Sequence, residues 1–369
     1  MVDWYKKAVE RTRRYVYVVY PRYKRVSFSF VGENHYQQLQ RFFRTYAIDE
    51  SALPVSEIVS HPLIYLHPYF YVMDREGERL KRRRAYFKGI IGVDVADGDH
   101  VTSRAAELAN MATAMVVPSN FCRRAYVNSG VKVPVHVVPH GVTEEWIGSP
   151  PQRPCPLTYV EKIKEERKAK VLLAFIIHSP FRKGLDILIE VYKGIVKERG
   201  NAVLTVKTMR GLGVIPSTVQ KVGETLEESM QPPVVEKWFT EREKMSIYDA
   251  ADLFLLTSRG GGFEHSGLEA LARGVPVIAA RGGAWEDYLP SWCLTPSKRS
   301  PPVLEGNPIH DGCGVEMLID KAVDKALTIL DNLEEYKAKA KEYADTRLKK
   351  EFTWSRIGEA LREVTLKYL

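Results

Sequence analysis

Four cysteines in 369 residues, Cys122, Cys155, Cys293 and Cys313, are too few and too widely spaced for a disulfide framework or a paired metal site. Their default state is the reduced thiol of a cytoplasmic protein. No apolar run approaches the length of a membrane span, and Met1-Val2-Asp3-Trp4-Tyr5-Lys6-Lys7 lacks the apolar centre of a signal peptide. Internal repeats and low-complexity tracts are absent. These absences argue against secreted, membrane-integral and repeat proteins, and leave a cytoplasmic location as the expectation.

The chain has room for two domains with full cores, and 45% hydrophobic with 27% charged residues is the balance of a globular protein. Its charge is lopsided, with a formal net of +8 and an isoelectric point of about 9.1. That surplus invites an anionic partner; nucleotide donors, anionic lipid headgroups and nucleic acid all qualify. Basic residues gather from Lys6 to Arg25 and from Arg75 to Lys88, where Lys81-Arg82-Arg83-Arg84 are consecutive. Each cluster reads as a solvated basic face. The adjacent Tyr15, Tyr17, Tyr20, Tyr23, Tyr86 and Phe87 leave open a peripheral contact with anionic membrane at its inner face.

The rest of the chain is organised around Ala250 to Pro290. Leu253–Leu256 reads as a buried parallel strand that runs through Ser258-Arg259 into Gly260, Gly261 and Gly262. Ser266–Arg273 carries Leu268, Leu271 and Ala272 at helical spacing, and Gly274-Val275-Pro276 stops that helix before a second strand, Val277–Ala280. A helix opening after a bare loop offers free N–H groups and a positive dipole end, which suits a phosphate or diphosphate. Glu264 and Glu269 flank that start and could accept hydrogen bonds from sugar or ribose hydroxyls. An ordinary turn with solvated glutamates stays open on these residues alone.

The stretch resembles the donor-binding signature of the retaining glycosyltransferases of family 4. That signature runs Glu-Gly-Phe-Gly-Leu-Pro-x-Leu-Glu and continues into Ala-x-Ala-x-Gly-x-Pro-Val-like residues. Gly262, Phe263, Leu268 and Glu269 fall on matching positions, followed by Ala270-Leu271-Ala272-Arg273-Gly274-Val275-Pro276-Val277. The resemblance implies the α/β GT-B fold, two Rossmann-like domains facing each other across a central cleft, with Glu269 on the ribose of a nucleotide donor. The family's first glutamate, which contacts the donor sugar, is replaced by Gly261. Either Glu264 takes that role, folded back by Gly260–Gly262, or the sugar contact is gone.

From the start of the chain, Asp3 caps a helix over Asp3–Arg14, and two β-rich runs, Tyr15–Tyr20 and Arg25–Val31, follow. Gly32-Glu33-Asn34-His35 leads into a helix with Leu39, Phe42 and Phe43 on one face, and the resemblance places Gly32 at the cleft. Leu63–Phe70 reads as a strand carrying His67, which either faces the cleft or is simply buried. Gly89–Val95 reads as the next strand, and it ends in Asp94, Asp97 and His100. Such residues at the C-terminal end of a parallel strand lie where ligands bind. By resemblance one of the three stands beside the donor sugar; the choice among them stays open.

Further strands are expected at Met115–Ser119 and Val135–Val142, and Gly141 with the proline-rich Ser149–Pro154 marks a hinge near residue 150. The second domain opens with a helix over Tyr159–Lys168 and a strand over Val171–Ile177. His178-Ser179-Pro180-Phe181-Arg182-Lys183-Gly184 then leads into a helix bearing Ile187, Leu188, Val191 and Tyr192. By resemblance Lys183 neutralises the donor diphosphate; the family's arginine about six residues earlier is Ile177 here, so Arg182 or a residue from elsewhere supplies the second cation. Cations at a helix start oppose its dipole, which points to an anionic ligand. Val203–Lys207 reads as a strand, Gly211–Val222 as loop, and Thr240 with Glu243 as a capping box. The tail from Lys321 is mostly helical, and Phe352-Thr353-Trp354 resembles the family's final segment, which packs back on the first domain.

The expectation is thus an N-terminal acceptor-side domain over 1–150, a donor-side domain over 151–350 and a returning helix over 351–369. Together they would form a hexosyltransferase-like, metal-independent enzyme moving a sugar from a UDP- or GDP-type nucleotide sugar to a glycan, lipid or protein acceptor. Arg182 and Lys183 would take the diphosphate, Glu269 the ribose, and Glu264 with the Gly262-Phe263 backbone the sugar and phosphate. Asp94, Asp97, His100 or His67 would form the facing wall. A non-catalytic nucleotide-sugar binder and a basic nucleic-acid-binding protein remain as alternatives.

Overall fold

A computed structural model describes residues 15–24, 26–53, 61–177, 179–208, 233–235 and 237–369. The helix expected over Asp3–Arg14, the residues Arg25 and His178, and the loop expected over Gly211–Val222 lie outside the described residues. The chain divides into two units. One holds the residues up to Gly141 with Gly306–Asp311 and Thr353–Leu369; the other holds Val142–Glu305 with Gly312–Phe352.

The first unit is built on a parallel sheet of β1 (Tyr15–Tyr20), β2 (Arg44–Asp49), β3 (Leu63–Leu66), β4 (Gly89–Val93), β5 (Ala114–Val117) and β6 (Val135–Val137), in the order β2-β1-β3-β4-β5-β6. β3, β4 and β5 are buried at every position, which is why they read as unbroken apolar runs. Each sheet face has its own core. Ile64, Leu66, Tyr69 and Met115 lie in one; Val16, Val18 and Tyr65 meet Trp354, Ile357 and Leu361 of the C-terminal helix Trp354–Leu366 in the other. The Tyr65 hydroxyl lies 2.7 Å from Thr365 Oγ1 inside that second core.

Two expectations fail in this unit. The described part of the run Arg25–Val31 forms no strand: helix α1 spans Ser27–Gln40. Phe28 and Phe30 alternate with serines as in a strand, but Val31, His35 and Leu39 recur at helical spacing and are the buried positions. Gly32 therefore lies inside a helix rather than in a loop after a strand, and a Cβ there would come within 2.5 Å of the Tyr20 side chain. Close packing of α1 on β1 accounts for this glycine. The strand expected over Leu63–Phe70 stops at Leu66, because Pro68 has no N–H for a ladder; helix α2 begins at Tyr69 and runs to Arg82.

The second unit carries β7 (Lys170–Phe175), β8 (Ala202–Lys207), β9 (Val234–Val235), β10 (Leu253–Leu256), β11 (Val277–Ala280) and β12 (Leu294–Thr295), in the parallel order β12-β11-β10-β7-β8-β9. That is the doubly wound order, and its reversal lies between β7 and β10, where ligands bind beyond the C-terminal strand ends. Three helices place the residues of interest: α3 (Leu185–Glu198) after β7, α4 (Glu241–Ala250) before β10, and α5 (His265–Ala272) after it. The capping box expected at Thr240 and Glu243 is formed at the start of α4. An antiparallel hairpin, β13 (Ser297–Pro302) with β14 (Cys313–Met317), has no counterpart among the sequence expectations.

Candidate active site

The loops leaving β7 and β10 are hydrogen-bonded to each other. Arg259 N donates to the Arg182 carbonyl at 2.8 Å, and Thr257 Oγ1 donates to the Lys183 carbonyl at 3.0 Å. Gly184 sits between them with φ of 68°, and a Cβ there would lie 2.1 Å from the Thr257 carbonyl oxygen, so only glycine fits. The Arg259 guanidinium fastens the junction. It donates to both carboxylate oxygens of Asp186 at 2.7 and 2.6 Å, to the Phe181 carbonyl at 2.8 Å and to Glu316 at 2.8 Å. Despite partial desolvation Asp186 stays below the usual carboxylate range, because Arg259 outweighs it.

This junction brings Lys183 to Glu264. Lys183 Nζ lies 2.6 Å from both Glu264 oxygens, and Arg182 Nη1 donates to the Gly260 carbonyl at 3.1 Å while standing 3.9 Å from Glu264 Oε1. The Glu264 carboxylate is buried, so the ion pair forms where water screens it little. Glu264 also caps α5 from the left-handed region, φ 61°, with its carbonyl accepting from the Tyr288 hydroxyl at 2.6 Å. A non-glycine residue held there costs about 1–3 kcal/mol, and such strain gathers at functional sites. The fold-back depends on Gly261, whose Cβ would lie 2.0 Å from Glu264 Oε1. Gly262 is buried, and the Phe263 ring packs 5.0 Å from Tyr288, so Phe263 presents its backbone to the loop.

Glu269, on the next turn of α5, accepts from Lys244 Nζ at 2.9 Å and from the Tyr248 hydroxyl at 2.9 Å. Burial alone would raise its pKa; Lys244, with help from His265 and Tyr248, holds it below the usual range. Lys244, Tyr248 and Lys207, whose charge couples to Glu269, were not singled out from the sequence. A lysine ending an apolar strand was the available signal for Lys207.

Of the first-unit candidates, Asp94, Asp97 and His67 lie about the end of β4, and His100 is exposed. Asp94 ends β4 and is buried; it accepts from Phe70 N and Val95 N at 2.9 Å each, and burial pushes it up to about 7. It anchors the start of α2. Asp97 is half-buried near Asp94 and raises it further, whereas His100 is exposed and pairs with Asp99 at 2.8 Å. His67 is buried just beyond β3 with Nδ1 3.0 Å from the Val93 carbonyl, its Nε2 without a partner among the described residues and its ring 6.4 Å from that of His35. Burial takes His67 down to about 4 and His35 to about 3.

The family described as Family 4 Glycosyltransferase in conflict systems matches residues 118–361, about two thirds of the chain. The chain belongs to that glycosyltransferase family. Uncharacterized protein 356 of Sulfolobus islandicus rod-shaped virus 1 is 33% identical to this glycosyltransferase over 363 residues, 96% of this chain and 98% of the relative. Among solved structures, Anabaena Alr3699/HepE in complex with UDP and glucose matches with a TM-score of 0.70 at 14% identity, over 97% of this chain and 100% of that one. A UDP-forming trehalose-phosphate synthase from Burkholderia xenovorans matches with a TM-score of 0.62 at 9% identity, over 94% and 80%. The two parallel sheets are accordingly the two Rossmann-like domains of a GT-B glycosyltransferase.

Proposed function

We propose that this glycosyltransferase moves a sugar, with retention of anomeric configuration, from a uridine- or guanosine-diphosphate donor to an acceptor hydroxyl. The supporting observation is the contact of Lys183 with Glu264 at the start of α5, beside Arg182 and the bare Gly260–Gly262 loop. A bound diphosphate would take over Lys183 and Arg182, and the Glu264 carboxylate, released from the ammonium, would accept hydrogen bonds from donor-sugar hydroxyls. Glu269, oriented by Lys244 and Tyr248, would accept from the ribose. The solved relatives, which hold or form UDP, favour uridine.

Chemically, the anomeric C–O bond breaks with its electron pair staying on the diphosphate oxygen, the acceptor oxygen forms the new bond on the same face, and the acceptor proton leaves with the diphosphate. The charge developing there is met by Lys183, Arg182 and the backbone amides at the start of α5 rather than by a metal ion. Fixed groups of this kind contribute about 10²–10³-fold in kcat each. Proton NMR of donor turnover by the purified chain tests the reading: the donor's own anomer should appear first, and Glu264→Gln should slow turnover at least a hundredfold. Inversion, or tight donor binding with no turnover that Glu264→Gln leaves unaltered, would overturn it, the latter in favour of a nucleotide-sugar binder.

A peripheral contact with an anionic membrane belongs to the same proposal. It is supported by exposed Tyr71, with Arg75 4.6 Å over its ring, and by exposed Tyr86 just beyond the basic end of α2. Co-sedimentation with vesicles should require anionic lipid; equal sedimentation without it would count against the contact.

A further inference from the structure

The end of β8 holds two buried polar side chains that the described residues leave poorly satisfied. Lys207 is 8% exposed, and its Nζ reaches the carbonyl of its neighbour Thr208 at 3.5 Å, the outer limit of a hydrogen bond. Thr208 is fully buried, and its Oγ1 has no partner among the described residues. A buried hydroxyl without a partner costs about 1–3 kcal/mol, and a charged group costs more. The described residues do not offset that cost for two such groups side by side.

Their surroundings narrow the ligand. The Phe175 ring lies 5.4 Å from the Lys207 ammonium, Glu269 attracts it, Lys244 repels it, and burial, the largest influence, pushes it down to about 8. Both Glu269 oxygens are already engaged by Lys244 and Tyr248. Among the described residues, what Lys207 lacks is a close acceptor.

Sheet order says which part of a donor would reach it. β10, β7 and β8 are successive neighbours. Glu264 and Lys183 stand on the loops after β10 and β7, Glu269 lies a turn along α5, and Lys207-Thr208 ends β8. A donor lying along these strand ends, with its sugar at Glu264 and its ribose at Glu269, brings its base to β8. We propose that Lys207 and Thr208 are the nucleobase contacts of the donor site. The ammonium donates to a ring carbonyl, and the Thr208 hydroxyl takes a second polar atom of the base edge. Adenine offers an ammonium only ring nitrogens, so a Lys207 set on an exocyclic carbonyl favours uracil or guanine over it. The inference rests on the donor reading above and adds the part of the site that selects the base.

Calorimetric titration of the full chain with UDP, GDP, ADP and inorganic pyrophosphate tests it. The tighter of UDP and GDP should bind at least tenfold better than ADP. Lys207→Met should weaken that nucleotide about tenfold, shrink its advantage over ADP and leave pyrophosphate unchanged. The near-isosteric Thr208→Val should act in the same direction by a few-fold. Unchanged nucleotide affinity in Lys207→Met, or equal losses for nucleotide and pyrophosphate, would overturn the base assignment. A Lys183→Ala chain that weakens both ligands while Lys207→Met is silent removes this inference alone; a wild-type chain that binds neither UDP nor GDP removes the donor reading with it.

Discussion

The carboxylate of Glu264 occupies the volume where a side chain at position 261 would begin: a Cβ on Gly261 would lie 2.0 Å from Glu264 Oε1 and 2.9 Å from its carboxyl carbon. Where the family signature has a glutamate followed by glycine and phenylalanine, this chain has a glycine, and a carboxylate from three residues further on fills the space.

Gly261→Ala should therefore displace Glu264 from Lys183. Sugar transfer is expected to fall about a hundredfold, the scale of losing one fixed electrostatic contact, and the unfolding midpoint to fall as well, because the buried Lys183–Glu264 pair is broken. The double variant Gly261→Glu with Glu264→Gly, which moves the carboxylate to the family's position, should recover part of that loss. Full activity in Gly261→Ala would show that the fold-back does not serve the reaction.

Arg259 joins the two loops through Asp186, Glu316, the Phe181 carbonyl and its own backbone. Arg259→Met should cost about 3 kcal/mol in urea unfolding, since two carboxylates lose their shared cation, with Asp186 partly relieved by its contact with water. Because the loop carrying Arg182 and Lys183 would lose its brace, UDP affinity should drop as well. A stability loss with UDP affinity intact would assign Arg259 to the fold alone.

Stability should fall on acidification below neutrality. His35 and His67 are held neutral at about 3 and about 4, while their unfolded forms protonate near 6.5, so unfolding takes up protons below that value. Their contribution is full above pH 6.5 and is lost as pH falls towards the folded values; at pH 5 each accounts for about 2 kcal/mol. Asp94, raised to about 7 by burial, acts oppositely: its contribution is present below about pH 4 and lost as pH climbs through 7. His35→Gln should flatten the drop in urea midpoint between pH 7.5 and 5; an unchanged slope would contradict the neutral assignment.

Buried parallel strands were legible because they must be apolar on both faces: Leu253–Leu256 and Val277–Ala280, buried throughout, and Tyr15–Tyr20, buried but for Tyr15 and Tyr17, begin and end where expected. The helix over Ser27–Gln40 was misread because its serine and phenylalanine alternation mimics a strand, and the deciding stripe of Val31, His35 and Leu39 only acquires meaning once a sheet lies beneath it. The hairpin of Ser297–Pro302 escaped because charged and proline residues suit an exposed edge strand but carry no apolar pattern. At the site, Lys183, Glu264 and Glu269 stood out through spacing to glycines. Lys207, Lys244 and Tyr248 did not, because their meeting at Glu269 joins separate strands and helices that no local pattern connects.

The most direct test is the affinity of the purified chain for UDP before and after Lys183→Ala. If Lys183 leaves Glu264 to hold the diphosphate, the substitution should weaken UDP at least tenfold and abolish sugar transfer, with the unfolding midpoint of the unliganded chain lowered because Glu264 is left buried without its ammonium. Equal UDP affinity in the two proteins would contradict the placement of the donor at this ion pair.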